Sequence, residues 1–173
     1  MSNLGEQLRQ IAERQKLKLE TVVRRTVFQM ATQMVNMSPV GNPTLWLSLH
    51  PYTPVEIGKD GKFKPAGDTE TRLKPPAGYV GGRFRNNWQY GEGSINRDTS
   101  APPDASGSGS LGRIEAGIAS WKPGETMYIT NSLEYAYSLE VGHSSQAPVG
   151  MVAVTMANFQ AHFQRALADA RAL

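Results

Sequence analysis

The chain has 173 residues, which is enough for one domain with its own hydrophobic core and too little for two domains of ordinary size. Its 18 Lys and Arg residues slightly outnumber its 15 Asp and Glu residues, and this mild basic excess permits a nucleic-acid partner without indicating one. The sequence contains no cysteine, which excludes disulfide frameworks, thiolate zinc sites and cysteine nucleophiles.

The N-terminal residues 1–7 lack the basic and apolar regions of a secretion signal. No apolar run approaches the length needed to cross a membrane. We therefore expect a protein that is made in the cytosol and stays there, or in a particle assembled there, without a membrane partner.

Apolar residues recur at helical spacing from Leu4 to Met37, and this pattern predicts one long amphipathic helix. At 1.5 Å per residue the helix would be roughly 50 Å long, whereas a compact chain of this size is about 40 Å across, so part of it should overhang. Leu17, Phe28 and Val35 fall on the side opposite the main apolar stripe. Either a loop of the same chain or a bend in the helix hides this second side, or another subunit covers it.

The residues that follow, 38–43, contain two prolines and a glycine and should end this helix. Residues 42–80 are rich in proline and are predicted to form an inserted arm. Within the arm, Thr53–Ile57 and Lys62–Lys64 flank an Asp-Gly step, which favours a short hairpin.

Three aromatic residues fall on one side of a strand if the segment is extended, and this pattern predicts a strand through Phe84, Trp88 and Tyr90. Residues 91–112 contain almost no residues that a core could bury, and they predict a mobile loop. The sequence predicts two strands, at residues 113–121 and 126–130, joined by a Lys-Pro-Gly-Glu turn. Together they would form a hairpin.

The stretch from Ile129 to Val152 contains four short segments separated by turn residues, all within about two dozen positions. This density of turns predicts a junction between a sheet, a short helix and a long helix. Gly142 breaks the short apolar element. Residues 148–170 then show the spacing of an amphipathic helix, whose apolar face contains Val152, Met156, Phe159, Phe163 and Leu167. This order of elements predicts a single α+β domain over residues 1–173, with helices packed on one face of a small antiparallel sheet.

No set of residues makes a convincing catalytic, cofactor or metal site. Residues 142–146 are superficially similar to the nucleophile elbow of serine hydrolases, but Gln146 replaces the last glycine, and His162 precedes Asp169 where that fold has the acid first. A serine hydrolase acting through Ser144 is therefore only a remote alternative. The three histidines lack carboxylates at metal-ligand spacing, and we expect a protein that is not an enzyme.

Two basic segments, Arg24-Arg25 and Arg83-Phe84-Arg85, could contact phosphates, with Phe84 and Trp88 stacking on bases. Alternating arginine and aromatic residues are also typical of a half-buried strand, and the overall charge is low for a dedicated binder. A nucleic-acid-associated assembly module is therefore the second hypothesis.

Four segments in order carry a family resemblance. They are Ser38-Pro39-Val40, the run Gly82–Asn87, Asn131 with Tyr135–Gly142, and Gln146–Met151. In this arrangement the chain resembles the tail-completion or neck proteins of long-tailed bacteriophages. The resemblance covers most of the chain except residues 42–80 and 91–112, and the long arm departs from the family pattern.

The resemblance implies a structural virion protein without a cofactor, assembled in the host cytoplasm and located at the head-tail joint. Copies would form a ring, expected to be a hexamer, that contacts the tail tube or terminator and the head-closure or connector proteins, with DNA passing through the lumen. A ring built from head-to-tail contacts needs two different patches on each subunit.

We expect one patch on the second face of the first helix, around Leu17, Phe28 and Val35. The other is expected near Tyr135, Tyr137, Glu140 and Gly142. Tyr135, Tyr137 and Leu139 should anchor the short helix, Glu140 should cap or pair with an arginine, and Gly142 should supply a backbone turn that other residues resist.

Overall fold

The computed structural model describes residues 4–42, 55–65 and 77–172. It confirms a mixed α+β fold with a long N-terminal helix, little sheet, short helices and a C-terminal helix. In chain order the elements are α1 (Leu4–Met37), β1 (Val55–Ile57), β2 (Phe63–Pro65), a single 3-10 turn (Arg85–Asn87), β3 (Gln89–Glu92), α2 (Ser108–Ser120), β4 (Met127–Thr130), α3 (Ala136–Glu140), α4 (Val152–Ala157) and α5 (Phe159–Arg171).

The chain divides into two compact units. The larger one, called here the main unit, combines residues 1–40 with 82–173 and contains α1 to α5, β3 and β4. The smaller one, called here the arm unit, comprises residues 41–81 and spans the predicted arm. Among the residues described, no helix combines the length and the apolar character needed to cross a membrane.

The core of the main unit lies where the C-terminal half of α1 meets α2 and the 3-10 turn. Val35 and Ile114 are fully buried there, next to Trp88, whose indole Nε1 donates a 2.7 Å hydrogen bond to Ser38 Oγ. Phe28 is half-buried against the same core. The second side of α1 is thus fully covered by the same chain at Val35, and the expectation that Val35 belongs to an open patch is wrong. Phe28 keeps part of its surface exposed, so its place in an interface stays a prediction.

A second, smaller core holds α5 against the middle of α1. Val22 packs against Ala166 and Ala170, small residues that let the two helix backbones approach closely. Hydrogen bonding of His162 Nε2 to Gln33 Oε1 at 2.5 Å adds to this contact. Burial lowers the pKa of His162, because the buried imidazole is harder to protonate.

The N-terminal part of α1 extends beyond these contacts. Ile11 and Leu19 are 57% and 64% exposed, although they continue the stripe that includes buried Val22. The overhang expected from the helix length is therefore present. The side chain of Leu17 lies outside the described part of the chain.

The sheet of the main unit is formed by β3 and β4, which pair antiparallel with Gln89 opposite Thr130 and Glu92 opposite Met127. The predicted hairpin between residues 113–121 and 126–130 is wrong, because residues 113–120 belong to α2. Ile114 and Ile118 are buried at spacing four, as on a helix face. Apolar residues at every second position, Ile114, Ala116 and Ile118, are typical of one face of a strand. In the structure Ala116 is exposed, so only the two isoleucines form the buried face, and their spacing is that of a helix.

The predicted mobile loop at 91–112 is wrong at both ends, because β3 continues to Glu92 and α2 begins at Ser108. Asp104 organises this start: its carboxylate accepts hydrogen bonds from Ser106 Oγ at 2.6 Å, Ser108 Oγ at 2.9 Å and the Gly109 N–H at 3.1 Å. These donors, the Ser106 hydroxyl above all, hold the pKa of Asp104 well below its usual range.

The predicted strand through Phe84, Trp88 and Tyr90 is correct only from Gln89 onward, because Arg85–Asn87 form the 3-10 turn. Phe84 and Trp88 are nevertheless both buried, with their rings edge to face and centroids 5.9 Å apart. The turn brings both rings into the core from one short segment.

The predicted C-terminal helix is confirmed with one interruption. Residues 148–151 form a turn before α4, and Asn158 separates α4 from α5. The Asn158 N–H is shared between the carbonyls of Val154 and Thr155, and its own carbonyl accepts the N–H groups of Ala161 and His162. The helix axis is therefore broken at an asparagine, a residue with low helix propensity.

The hairpin of the arm unit is confirmed. β1 and β2 pair antiparallel, and the turn is closed by hydrogen bonds from Gly58 N–H to the Lys62 carbonyl at 2.9 Å and from Gly61 N–H to the Gly58 carbonyl at 2.8 Å. Gly61 has φ +72, which only glycine adopts without strain. The predicted strand residues Thr53 and Pro54 lie outside the described residues.

Helix α2 offers a matched pair of glycines for testing how closely it packs. A Cβ on Gly117 would lie 2.2 Å from Tyr90 Cδ1, whereas a Cβ on Gly112 would meet nothing within 4 Å. Gly117→Ala should lower the free energy of unfolding by about 1–2 kcal/mol because the Tyr90 ring must move. Gly112→Ala should raise it by about 0.5–1 kcal/mol through better helix propensity. Urea titration of both variants measures this, and equal effects at the two sites would contradict the packing.

Candidate protein interface

The site is built around the turn that joins α3 to α4. Glu140, the last residue of α3, folds back onto the start of α4: its Oε2 accepts the N–H groups of Met151 at 3.0 Å and Val152 at 3.1 Å, and its Oε1 accepts that of Ala153 at 2.9 Å. Three N–H groups at a helix start thereby gain a charged acceptor. The capping role expected for Glu140 is confirmed, and its carboxylate is used within its own chain.

Two glycines make this return of the chain possible. Gly142 has φ +93, and a Cβ there would lie 2.6 Å from the Pro148 carbonyl oxygen. Gly150 has φ +81, and a Cβ there would lie 2.3 Å from the Glu140 carbonyl oxygen. Both positions require a left-handed backbone and close contact, so the turn expected at Gly142 is confirmed.

Of the residues expected to anchor α3, two do so and one does not. Tyr135 and Leu139, four residues apart, are half-buried against the main core, with the Tyr135 and Phe84 ring centroids 6.1 Å apart. Tyr137 is 78% exposed, so its predicted anchoring role is wrong. A short helix can bury one face only, and Tyr137 belongs to the other face.

The four segments of the resemblance meet around this turn and its supporting core. Arg85 donates to the Ser38 carbonyl at 2.7 Å, and Asn131 Nδ2 donates to the Phe84 carbonyl at 2.9 Å. Gln146 pairs with the backbone of Val40, donating to its carbonyl at 2.9 Å and accepting its N–H at 3.2 Å. Segments up to 106 positions apart are thus joined by direct hydrogen bonds into one structure.

A groove of about 370 Å³ opens beside this structure. Its lining includes Ile129 and Thr130 at the end of β4, Tyr137 of α3, Val152 of α4, and the rings of Phe84 and Trp88. Ile95 and Arg97 also line it, from a segment that the sequence predicted to be a mobile loop. Thr130 Oγ1 donates to the Asn96 carbonyl at 2.7 Å, which fixes that segment against the sheet.

Exposed apolar side chains are also found on α3 and α4, in the turn between them and at the start of α5, and two of them line the groove. We call this surface the apolar belt; its members are Tyr137, Val141, Val149, Val152, Met156 and Phe159. Single exposed apolar residues are ordinary, but a run of six within 23 positions is typical of a contact surface. Only Tyr137 of this belt was among the predicted interface residues, because amphipathic spacing assigned Val152, Met156 and Phe159 to a buried face.

The arginines considered for phosphate binding are engaged within the chain. Arg24 donates to the carbonyls of Ile118, Ala119 and Trp121 at the end of α2, with its guanidinium 5.3 Å from the Trp121 ring centroid. Arg25 lies 3.3 Å from Asp169.

In the second segment, Arg83 lies 3.4 Å from Glu134, and Arg85 binds carbonyls at the end of α1. A groove of about 470 Å³ beside the N-terminal part of α1 is lined by Arg9, Arg14 and Lys18 together with Glu13. Arg9 is paired with Glu6 at 2.9 Å.

The residues weighed for a serine hydrolase have other partners. Ser144 Oγ accepts the Gln146 N–H at 3.2 Å, His162 binds Gln33, and Asp169 pairs with Arg25. His50 lies outside the described residues, and His143 is exposed. Within the ranges described, no three His, Asp or Glu side chains cluster in a way that could hold a metal ion.

Comparison of the chain with protein-family models, with curated proteins and with solved structures found no match. The function is therefore argued from the groove, the apolar belt and the turn that supports them.

Proposed function

We propose that this protein is a structural component of a bacteriophage head-tail connection, of the tail-completion or neck type. Copies assemble into a ring in the host cytoplasm and remain in the virion, where they contact the tail tube or terminator on one side and head-closure or connector proteins on the other. DNA passes through the lumen. The work is done by protein contacts and requires no reaction.

The observation that carries the proposal is the position of the apolar belt relative to the four segments of the resemblance. Those segments form the support of the α3–α4 turn, with Glu140 and Gly142 fixing its shape. Tyr137 and Val141, next to this turn, are exposed at the surface. A rigid, buried scaffold below an exposed apolar surface favours a docking role over a catalytic one.

The contact between copies in a ring is expected to be head to tail, so each copy must present two different patches. The apolar belt with its groove supplies one of them. The patch expected around Leu17, Phe28 and Val35 loses Val35, which is fully buried in its own chain.

Tyr137 provides the direct test. Tyr137→Asp removes the exposed aromatic ring by which the belt joins the groove, and should weaken self-association about thirtyfold, as loss of a binding hot spot does. Ala116→Asp adds the same charge at an exposed position of α2 and should leave assembly unchanged. Sedimentation of each variant, alone and with tail tubes, measures the mass of the assemblies.

Both variants should unfold at nearly the wild-type urea concentration because both positions are exposed. Assemblies closed by apolar contacts should also persist as salt is raised, whereas a phosphate-binding module would lose DNA affinity steeply. A wild-type chain that stays monomeric at all concentrations and ignores tail tubes would overturn the proposal.

A further inference from the structure

The outer edge of β4 carries unpaired backbone groups. Gly93 N–H donates to the Thr126 carbonyl at 2.9 Å, and the register continues with Gly91 opposite Tyr128. In an antiparallel ladder of this phase, the N–H and carbonyl groups of Met127 and Ile129 point away from β3. Within the described ranges these groups have no hydrogen-bond partner.

This edge borders the groove described above. Ile129 and Thr130 of β4 line it together with Tyr137. An extended segment laid along β4 would therefore gain main-chain hydrogen bonds from the edge and a site for apolar side chains from the groove, which is the arrangement used in strand addition.

The arm unit contains a strand with the matching property. By the register of its hairpin, Ile57 and Val55 of β1 direct their N–H and carbonyl groups away from β2. Ile57 is also 71% exposed. The other strand makes a poorer edge, because Pro65 has no N–H to donate.

We propose that β1 of one copy adds to the free edge of β4 in a neighbouring copy, so that two two-stranded sheets join into one intersubunit sheet. This inference rests on the proposed ring. It supplies the second patch that head-to-tail assembly requires: the groove and the β4 edge on one copy, and the arm unit on the next.

A second copy is the occupant favoured by the chain itself. Every copy carries one β4 edge and one β1 edge, so a closed ring uses all of them in equal number. Closure also removes two exposed edges that would otherwise invite uncontrolled pairing. Within the part of the chain that the structure describes, each sheet has two strands. A two-stranded sheet is marginally stable alone and is stabilised by added strands.

Proline substitution in the arm tests the main-chain pairing. Ile57→Pro removes an N–H group of β1 that points away from β2, and it leaves the hydrogen bonds between β1 and β2 in place. The variant should weaken self-association about tenfold or more. Lys59→Pro changes the second residue of the hairpin turn, a position that favours proline, and should leave association unchanged. The measurement is the sedimentation of both variants over a concentration series, with circular dichroism confirming that the helices are retained.

Cross-linking tests the position of the contact. Because the natural chain has no cysteine, single-cysteine variants can be mixed without background. A short bis-maleimide added to Ile57→Cys mixed with Tyr128→Cys should give covalent dimers, whereas Ile57→Cys mixed with Glu115→Cys, an exposed α2 position, should not.

The outcomes separate this inference from the proposed function. Normal ring formation by Ile57→Pro, together with no covalent dimer between Ile57→Cys and Tyr128→Cys, would overturn the strand addition and leave the ring intact. A wild-type chain that never assembles would overturn both.

Discussion

Gly142→Val is expected to lower the free energy of unfolding by about 2–5 kcal/mol, among the larger effects of any single substitution in this chain. Valine at φ +93 is strained in itself, and its Cβ would lie 2.6 Å from the Pro148 carbonyl oxygen. A backbone atom cannot move aside as a flexible side chain can. The turn that holds the apolar belt in place should therefore open, with loss of both stability and assembly.

Gly124→Val is the matched control for this prediction. Gly124 also has a positive φ, of +101, but a Cβ there would meet nothing within 4 Å. It should therefore show only the conformational cost of about 1–2 kcal/mol. Urea unfolding followed by circular dichroism measures both variants. Equal destabilisation at the two glycines would mean that the close approach to Pro148 does not exist.

Glu140→Ala is expected to lower the free energy of unfolding by about 1.5–3 kcal/mol. The carboxylate accepts hydrogen bonds from Met151, Val152 and Ala153, and alanine would leave all three N–H groups without this acceptor. Met151 is buried in the main core, so loosening the start of α4 should also disturb the packing beneath it. Glu140→Gln retains one oxygen acceptor and should have a smaller effect.

Glu134→Ala is the control, because the same residue type stands six positions earlier in a different setting. Its side chain is 71% exposed and lies 3.4 Å from Arg83, a surface ion pair worth about 1 kcal/mol or less. Chemical denaturation of the three variants should rank them Glu140→Ala, Glu140→Gln and Glu134→Ala, from the most to the least destabilised. Similar midpoints for the two alanine variants would contradict the cap.

The expected effects on assembly follow from the same geometry. The apolar belt is carried by the two segments that Glu140 ties together, so a change at either Gly142 or Glu140 should reduce ring formation in proportion to the fraction of folded protein. Tyr137→Asp should instead reduce it with stability retained, because Tyr137 is exposed and supports nothing beneath it. This difference separates residues that shape the surface from those that form it.

Local sequence patterns determined several elements of this protein. The long stripe from Leu4 to Met37 gave a helix, and the Asp-Gly step in the arm gave a hairpin. Glycine at 142 and a carboxylate at 140 were correctly interpreted as a turn and a cap. Each of these depends on spacing or backbone chemistry within a few residues, which a sequence shows directly.

Only the tertiary structure decided which apolar residues are covered and which strands pair. Residues 113–120 contain a glycine and alternate apolar residues, and they form a helix because Gly117 lets α2 approach Tyr90 and because Asp104 organises its start. β4 therefore pairs with β3, about 40 positions earlier, and not with its neighbour in sequence. Val35 is buried and Met156 exposed, the reverse of what their helical stripes suggested, because burial depends on the elements that arrive from elsewhere in the chain and not on the spacing within one helix.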